Sequence, residues 1–393
     1  MTIKNSGNPL SFTEIEAEFG PNPTRSLGKY RTTSPTFNNG NKGPNDGLNG
    51  SSLASNLPLD SGIPTTGAIK FSQFYGKRLN IVIDYFSGSN MNRTGTGGGG
   101  DNKQAASWRF ANESTFVKVV GGYKNAPLSS VDGNFILSSG EWQGGKKVII
   151  NVNKRLGSER GSRGRVALRT GRWPSGTELQ LDIGSSGELR GAGGNGGGGT
   201  GSNKSAAADG EEGTSALGIE YATHINDSGV IRCGYGGGGG GTGGNSNPNK
   251  NPQDYGRGGG GGAGGAGFPA GDGGAAGPNG FGGGPQPDGE AGGAGGLNNS
   301  GAPGDGGNSY RGAFGGAGGD GGGFGPGQSP AAAEGGTGGT GQGRGYSASQ
   351  EGGEPGVNGF GIIFRNATVE SQTDGAKNTP GAEGGDSNSQ AIQ

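Results

Sequence analysis

Seven aromatic side chains, Tyr255, Phe268, Phe281, Tyr310, Phe314, Phe324 and Tyr346, stand in or beside short inserts that interrupt a long series of glycine runs. Spaced aromatics rimmed by polar residues carry the chemistry of recognition: a ring covers a sugar face or fills a protein groove, and its polar rim sets the orientation. The same rings, with Phe360, could instead cap the glycine runs and exclude water. Bond-breaking chemistry has far less to work with. The chain holds one histidine, His224, and one cysteine, Cys233, which read as a strand residue and a small side chain beside a glycine run. That leaves no disulfide framework and no spare histidine for a nucleophile relay or most metal sites. GxGxxG recurs through composition alone, with no helical period after it, and P-loop, HExxH and EF-hand spacings are missing. Asp and Glu are too scattered to nominate the carboxylate pair that glycan hydrolysis needs. The reading is a protein with no enzymatic role, no cofactor and no bound metal.

The elements that must position those rings are unusual. Of 393 residues, 102 are Gly and 20 are Pro, and only 27% are hydrophobic, so no single apolar core runs through the chain. Charge is divided: residues 1–190 carry 23 Lys and Arg against 14 Asp and Glu, and residues 191–393 carry 8 against 18. The acidic second half repels phosphate, which excludes nucleic acid as a partner despite Arg-Gly steps such as "YGRGGGG". No apolar stretch is long enough for a membrane span, and "MTIKNSGNPL" has no signal-peptide core.

Four segments follow from composition. In 1–78, Ser11 and Glu14 form a capping-box pattern ahead of Phe12, Ile15 and Phe19 at helical spacing, and Gly20 and Pro21 stop the helix. A second short motif, "IPTTGAIKFSQFYGKR", sets Phe71, Phe74 and Tyr75 on one side of a turn. Two such aromatic plugs are expected to order against a neighbour. Residues 79–190 hold short Val-, Ile- and Leu-rich runs between Gly, Asn and Ser turns, which predict a β-sandwich-like domain or a roll of strands. Its distal part is basic, from Lys146 to Arg172, and reads as a solvated surface or a contact with acidic neighbours or phosphorylated glycan. Residues 191–364 are the glycine-rich part, and 365–393 a closing strand and polar tail.

The glycine-rich part contains a repeat. "LQLDIGSSGELRGAGGNGGGGTG" aligns with "THINDSGVIRCGYGGGGGGTGG": a strand, a turn ending in Ser-Gly, a second strand, then a glycine run closed by Thr-Gly. Disorder has no reason to keep that order. Glycine runs can instead form left-handed polyglycine II helices of three residues per turn, whose N–H and C=O groups point sideways. Without Cβ atoms such helices approach closely and bond to one another, and nine residues span about 28 Å. Collagen is excluded because "GGAGGAGFP" keeps a Gly-X-Y register for only three triplets. The predicted fold is mainly β plus polyglycine II: a small N-terminal helical anchor, the β domain, and a bundle with loops at its ends.

These residues resemble a known family. "LSFTEIEAEFG" with "IPTTGAIKFSQFYGKR" is similar to the opening of virion structural proteins of tailed bacteriophages. "SGVIRCGYGGGGGGTGG" and the runs with variable inserts resemble the distal adhesin of T-even-like tail fibres, with its polyglycine II sandwich. The resemblance implies a virion protein of the phage tail, made in the host cytoplasm, whose tip loops bind a host receptor, either an outer-membrane protein or a glycan. It implies that Phe12, Ile15, Phe19, Phe71, Phe74 and Tyr75 anchor the chain to other tail or baseplate proteins; a homotrimer would suit the linker and plugs, though no heptads mark one. The alternative is a purely structural tail-tip or baseplate component. One departure stands out: a whole β domain precedes the bundle, where T-even-like adhesins have only a small attachment domain.

Overall fold

The computed structural model describes in detail residues 3–19, 25–30, 62–64, 66–78, 147–153, 155–170, 176–201, 206–219, 221–243, 258–278, 289–306, 316–319, 321 and 352–364, together with short strand segments between 81 and 136 and at 369–373 and 389–391. The N-terminal helix, α1 (Phe12–Phe19), begins as its sequence dictates. Glu14 Oε2 accepts from Ser11 N at 2.7 Å, and Ser11 Oγ accepts from Glu14 N at 3.3 Å. The two aromatic motifs do not wait for a neighbour but pack on each other. Ile3, Ile15, Tyr30, Ile63 and Phe74 form one small buried core, with Tyr30 edge-on to Phe74 and Phe12 edge-on to Phe71. Tyr75 donates its hydroxyl to Asn8 O at 2.6 Å, tying the second motif back to the chain start.

The β residues wind rather than fold back. In chain order the strands are β1 (Ile81–Tyr85), β2 (Met91–Asn92), β3 (Asn102–Gln104), β4 (Val117–Gly121), β5 (Ser129–Val131), β6 (Asn134–Ile136), β7 (Lys147–Val152), β8 (Arg155–Gly157), β9 (Val166–Arg169), β10 (Glu178–Ile183), β11 (Glu188–Arg190), β12 (Ser215–Ile219), β13 (Thr223–Asp227), β14 (Val230–Arg232), β15 (Ile362–Phe364), β16 (Val369–Thr373) and β17 (Ser389–Ala391). They form three sheets, ordered β16-β13-β10-β7-β1-β4, β14-β11-β8-β2 and β17-β15-β12-β9-β3, with β5 and β6 as a separate hairpin. Apart from β4 and that hairpin, every pairing is parallel. Successive trios such as β7, β8 and β9 give one strand to each sheet, so the chain climbs as a three-faced coil.

The interior is a set of aliphatic ladders. Ile150, Leu181 and Ile225 are in register on the first face, Leu156, Leu189 and Ile231 on the second, and Leu168, Leu217 and Ile362 on the third. All nine are buried in one cluster. The corner turns also stack: Gly184 N donates to Val152 O, and Val230 N to Gly187 O. A Cβ on Gly187 or Gly229 would strike the carbonyls of the coil below, which explains why both turns end in Ser-Gly.

This coil replaces the expected sandwich. Strand and turn spacing is the same whether a chain folds back on itself or climbs to the next coil, so the pattern alone could not separate the two. Position 190 falls inside a coil, because β12 to β17 continue the three sheets on its far side. The repeat seen in the sequence is two consecutive coils. The glycine runs are insertions in them: 191–214 between β11 and β12, and 233–361 between β14 and β15.

Candidate functional site

The insertions form nine described runs: run 1 (191–200), run 2 (206–214), run 3 (233–243), run 4 (258–267), run 5 (269–278), run 6 (289–296), run 7 (301–306), run 8 (316–319) and run 9 (352–360). Run 4 lies at the centre of six others. Gly259, Gly262 and Gly265 donate to run 1, Gly261, Gly264 and Gly267 to run 6, and Gly260 and Ala263 to run 8. Its carbonyls accept from Tyr235, Gly238 and Gly241 of run 3, Gly271, Gly274 and Gly277 of run 5, and Gly301 and Gly304 of run 7. These bonds measure 2.8–3.0 Å, and each direction is served by every third residue. Backbone groups thus do the work that side chains do in an ordinary core.

The two ends of this bundle differ. Runs 1 and 3 leave β11 and β14 directly, and the described turns after Gly267 and Gly296 return beside them. Here the basic residues of the coil close on the bundle. Arg155 binds Glu188 through two bonds of 2.7 and 2.8 Å. Arg190, itself buried, donates to the same carboxylate at 2.7 Å and to Asn298 Oδ1 at 2.9 Å, which Arg232 also reaches at 3.2 Å. Arg160 binds Asp272 and the Ala270 carbonyl, and Glu212 accepts from Arg163 N at 3.0 Å. Two guanidiniums stack on rings: Arg155 lies 5.5 Å from the centre of Phe268 and Arg163 4.1 Å from that of Phe360. Tyr235 is fully buried at the same level, against Cys233 and Ala266. Ala192 N donates to both Ser158 Oγ and Thr214 Oγ1, which also bond each other, at the point where run 1 departs.

Glu188 is the electrostatic centre of this junction. Burial alone would raise its pKa, but the hydrogen bonds and charges of Arg155 and Arg190 outweigh burial and lower it from 4.5 to about 2. A carboxyl depressed by folding contributes stability that is present above its unfolded value and lost as pH falls through its folded value. Melting temperature, followed from pH 6 downward, is therefore expected to drop between about 4.5 and about 2. Glu188→Gln should start lower at pH 6 and show a shallower drop over that window.

The sequence-predicted residues divide accordingly. Phe268 is half-buried at the strand end, which corrects its assignment to an exposed binding loop: its ring is held by Arg155 and lies against Gly157. Phe360 is buried at the same end, as a cap. Tyr255, Phe281, Tyr310, Phe314, Phe324 and Tyr346 lie outside the described residues. At the opposite end, Thr200, Ala206, Gly243, Gly258, Pro278, Gly289, Gly306, Gly316 and Gly352 are run termini. Of the anchoring set, Ile15 and Phe74 are buried in the N-terminal core, Phe12 is half-buried, and Phe71 is exposed, at 40%. Tyr75 is half-buried, and the Phe19 side chain lies outside the described residues. Sequence reasoning missed the junction residues Glu188, Arg190, Arg232 and Asn298. Its signal was the basic stretch of one half against the acidic second half.

The family model for the phage tail fibre adhesin Gp38 matches residues 115–334, more than half of the chain. The chain is also similar to a solved structure, the gp37-gp38 adhesin tip complex of the bacteriophage S16 long tail fibre. Identity there is 15%, over 80% of this chain and 86% of that one, with a TM-score of 0.25. No curated protein matches the chain.

Proposed function

Since the chain belongs to the phage tail fibre adhesin Gp38 family, a tail protein of the virion, we propose that it binds a receptor on the host surface with the end of the glycine bundle that faces away from the coil. The observation that carries this reading is the inequality of the two ends. One is held by arginines, buried aromatics and turns of the coil, and among the described residues the other consists of run termini. The bonding of every third residue in several directions supports reading the runs as polyglycine II helices. Segments 244–257, 279–288 and 307–315 each join two run termini at the far end, and Tyr346 stands shortly before run 9 begins there. Tyr255, Phe281, Tyr310, Phe314 and Tyr346 are accordingly the proposed contacts. Phe268 is excluded by its place at the junction, and Phe324, just beyond a run heading toward the strands, is not included.

The division of labour is then an N-terminal module for attachment, a coil as support and a bundle for display. In the S16 structure gp38 stands in a complex with gp37. We assign the comparable role here, binding another tail fibre protein, to the N-terminal module, where Phe71 is the exposed aromatic. Adhesion requires no bond chemistry, and the reading is non-enzymatic.

Exchanging 244–257, 279–288 and 307–315 for the corresponding segments of an adhesin from a phage of different host range tests the proposal. Host range, measured by plaque formation on both hosts, is expected to follow the exchanged segments. Intact virions that keep the original host range would overturn receptor binding and leave a spacer role.

A further inference from the structure

Any bundle of backbone-bonded runs has edges, and an unpaired row of N–H groups on an edge is a template for another chain. The clearest is on run 1. Its residue 191 donates to Arg232 at the end of β14, residues 194, 197 and 200 donate to run 3, and residues 193, 196 and 199 donate to run 5. The third row, 192, 195 and 198, has no backbone acceptor in another described run and faces the side between run 2 and run 5. At the base of this side Ser158 of the coil and Thr214 of run 2 satisfy Ala192 N. One turn higher stands Asn195, the only residue other than Gly or Ala between 191 and 199. Its amide spans this side, donating to Glu211 Oε2 of run 2 at 2.8 Å and accepting from Asp272 N of run 5 at 2.8 Å. The side chain thus takes up polar groups that a further run would otherwise meet.

Side chains satisfy run N–H groups elsewhere too: Asp209 Oδ1 accepts from Glu354 N at 2.8 Å on the exposed side of run 2, and inside the bundle Asn358 Oδ1 accepts from the buried Gly236 N at 2.9 Å. Runs 7 and 9 each carry a proline, Pro303 and Pro355, which removes one donor from a run already bonded to its neighbour through other rows. We infer that Asn195, Asp209 and the two prolines stop lateral growth of the bundle, with Asn195 as the principal stopper, and that they keep the glycine runs of one copy from adding to the edge of another. This goes beyond receptor binding and stands whether or not the far end binds a host.

Sedimentation of the full chain across a range of concentrations tests it. Wild type is expected to keep one mass, whereas Asn195→Gly opens this side to a run of a second copy and associates, with about a doubling of mean mass at high concentration. Moving the stopper one turn, in Asn195→Gly/Gly198→Asn, should restore the single mass; the position admits it, since a Cβ on Gly198 meets only Ala275 O, at 3.8 Å. A wild type that associates, an Asn195→Gly that folds and sediments as wild type, or a double variant that associates as strongly as the single would each overturn the inference. Should the single variant fail to fold, the inference is tested on Asn195→Ala, which shortens the side chain and loses the bridge, with the same expected and opposing outcomes.

Discussion

Gly262→Ala is expected to destabilise the chain by about 3 kcal/mol or more, combining overpacking with displaced hydrogen bonds. Gly262 sits in the central run, donating to Gly197 O and accepting from Gly274 N, both at 2.8 Å. A Cβ there would drive into the carbonyl groups of Gly238 and Gly239 of run 3. Those atoms are backbone, and they are themselves fixed by bonds to further runs, so none can yield alone. Gly198→Ala is the matched control. It faces the side between runs 2 and 5, its backbone is not in the left-handed region, and the added methyl is expected to leave stability unchanged or raise it by up to about 1 kcal/mol. Urea unfolding of both variants checks the contrast; equal midpoints would refute the lattice.

Leu181→Ala is the second large effect, expected to cost about 2–5 kcal/mol. Leu181 is fully buried on the first face of the coil, between Ile150 and Ile225 in adjacent coils. Truncation leaves a cavity bounded by strands whose spacing is set by ladder hydrogen bonds, which limits collapse. The bundle should feel the loss. Runs 1 and 3 are continuous with β11 and β14, and the chain re-enters β12 and β15 after runs 2 and 9. Coil and bundle are therefore expected to melt together. Amide exchange at Gly238 and Gly241 should accelerate in Leu181→Ala alongside that of Ile150 and Ile225; acceleration confined to the strands would separate the two units.

Much of this architecture was legible where local chemistry decides it. Ser11 and Glu14 specify the start of α1, and the Ser-Gly turns recur because stacked corners exclude a Cβ at Gly187 and Gly229. What stayed hidden was long-range. Whether "TELQLDI" pairs with the strand before it in a hairpin or with "KVIINV" one coil below is not written in its alternation, and only the parallel register decides it. The same limit applied to charge. The imbalance between the halves was visible, but that Arg160 meets Asp272 and Arg163 meets Glu212 follows from insertions that bring the acidic runs back to their own basic coil. Phe268 was misread for a related reason: a ring beside a glycine run looks the same in sequence at either end of the bundle.

The sideways direction of the bundle's hydrogen bonds has a mechanical consequence. A virion held by its tip and tugged by flow would pull the runs along their length, at right angles to the bonds that join them. Bonds in that arrangement resist sliding together, many sharing the force at once, whereas bonds pulled along their own axis at one end would open in sequence. Because run 4 is tied to six neighbours, force entering by any one segment at the far end would spread across the cross-section before it reaches the arginines at the base. The bundle would behave under tension less like a tether of separate threads than like a single stiff rod.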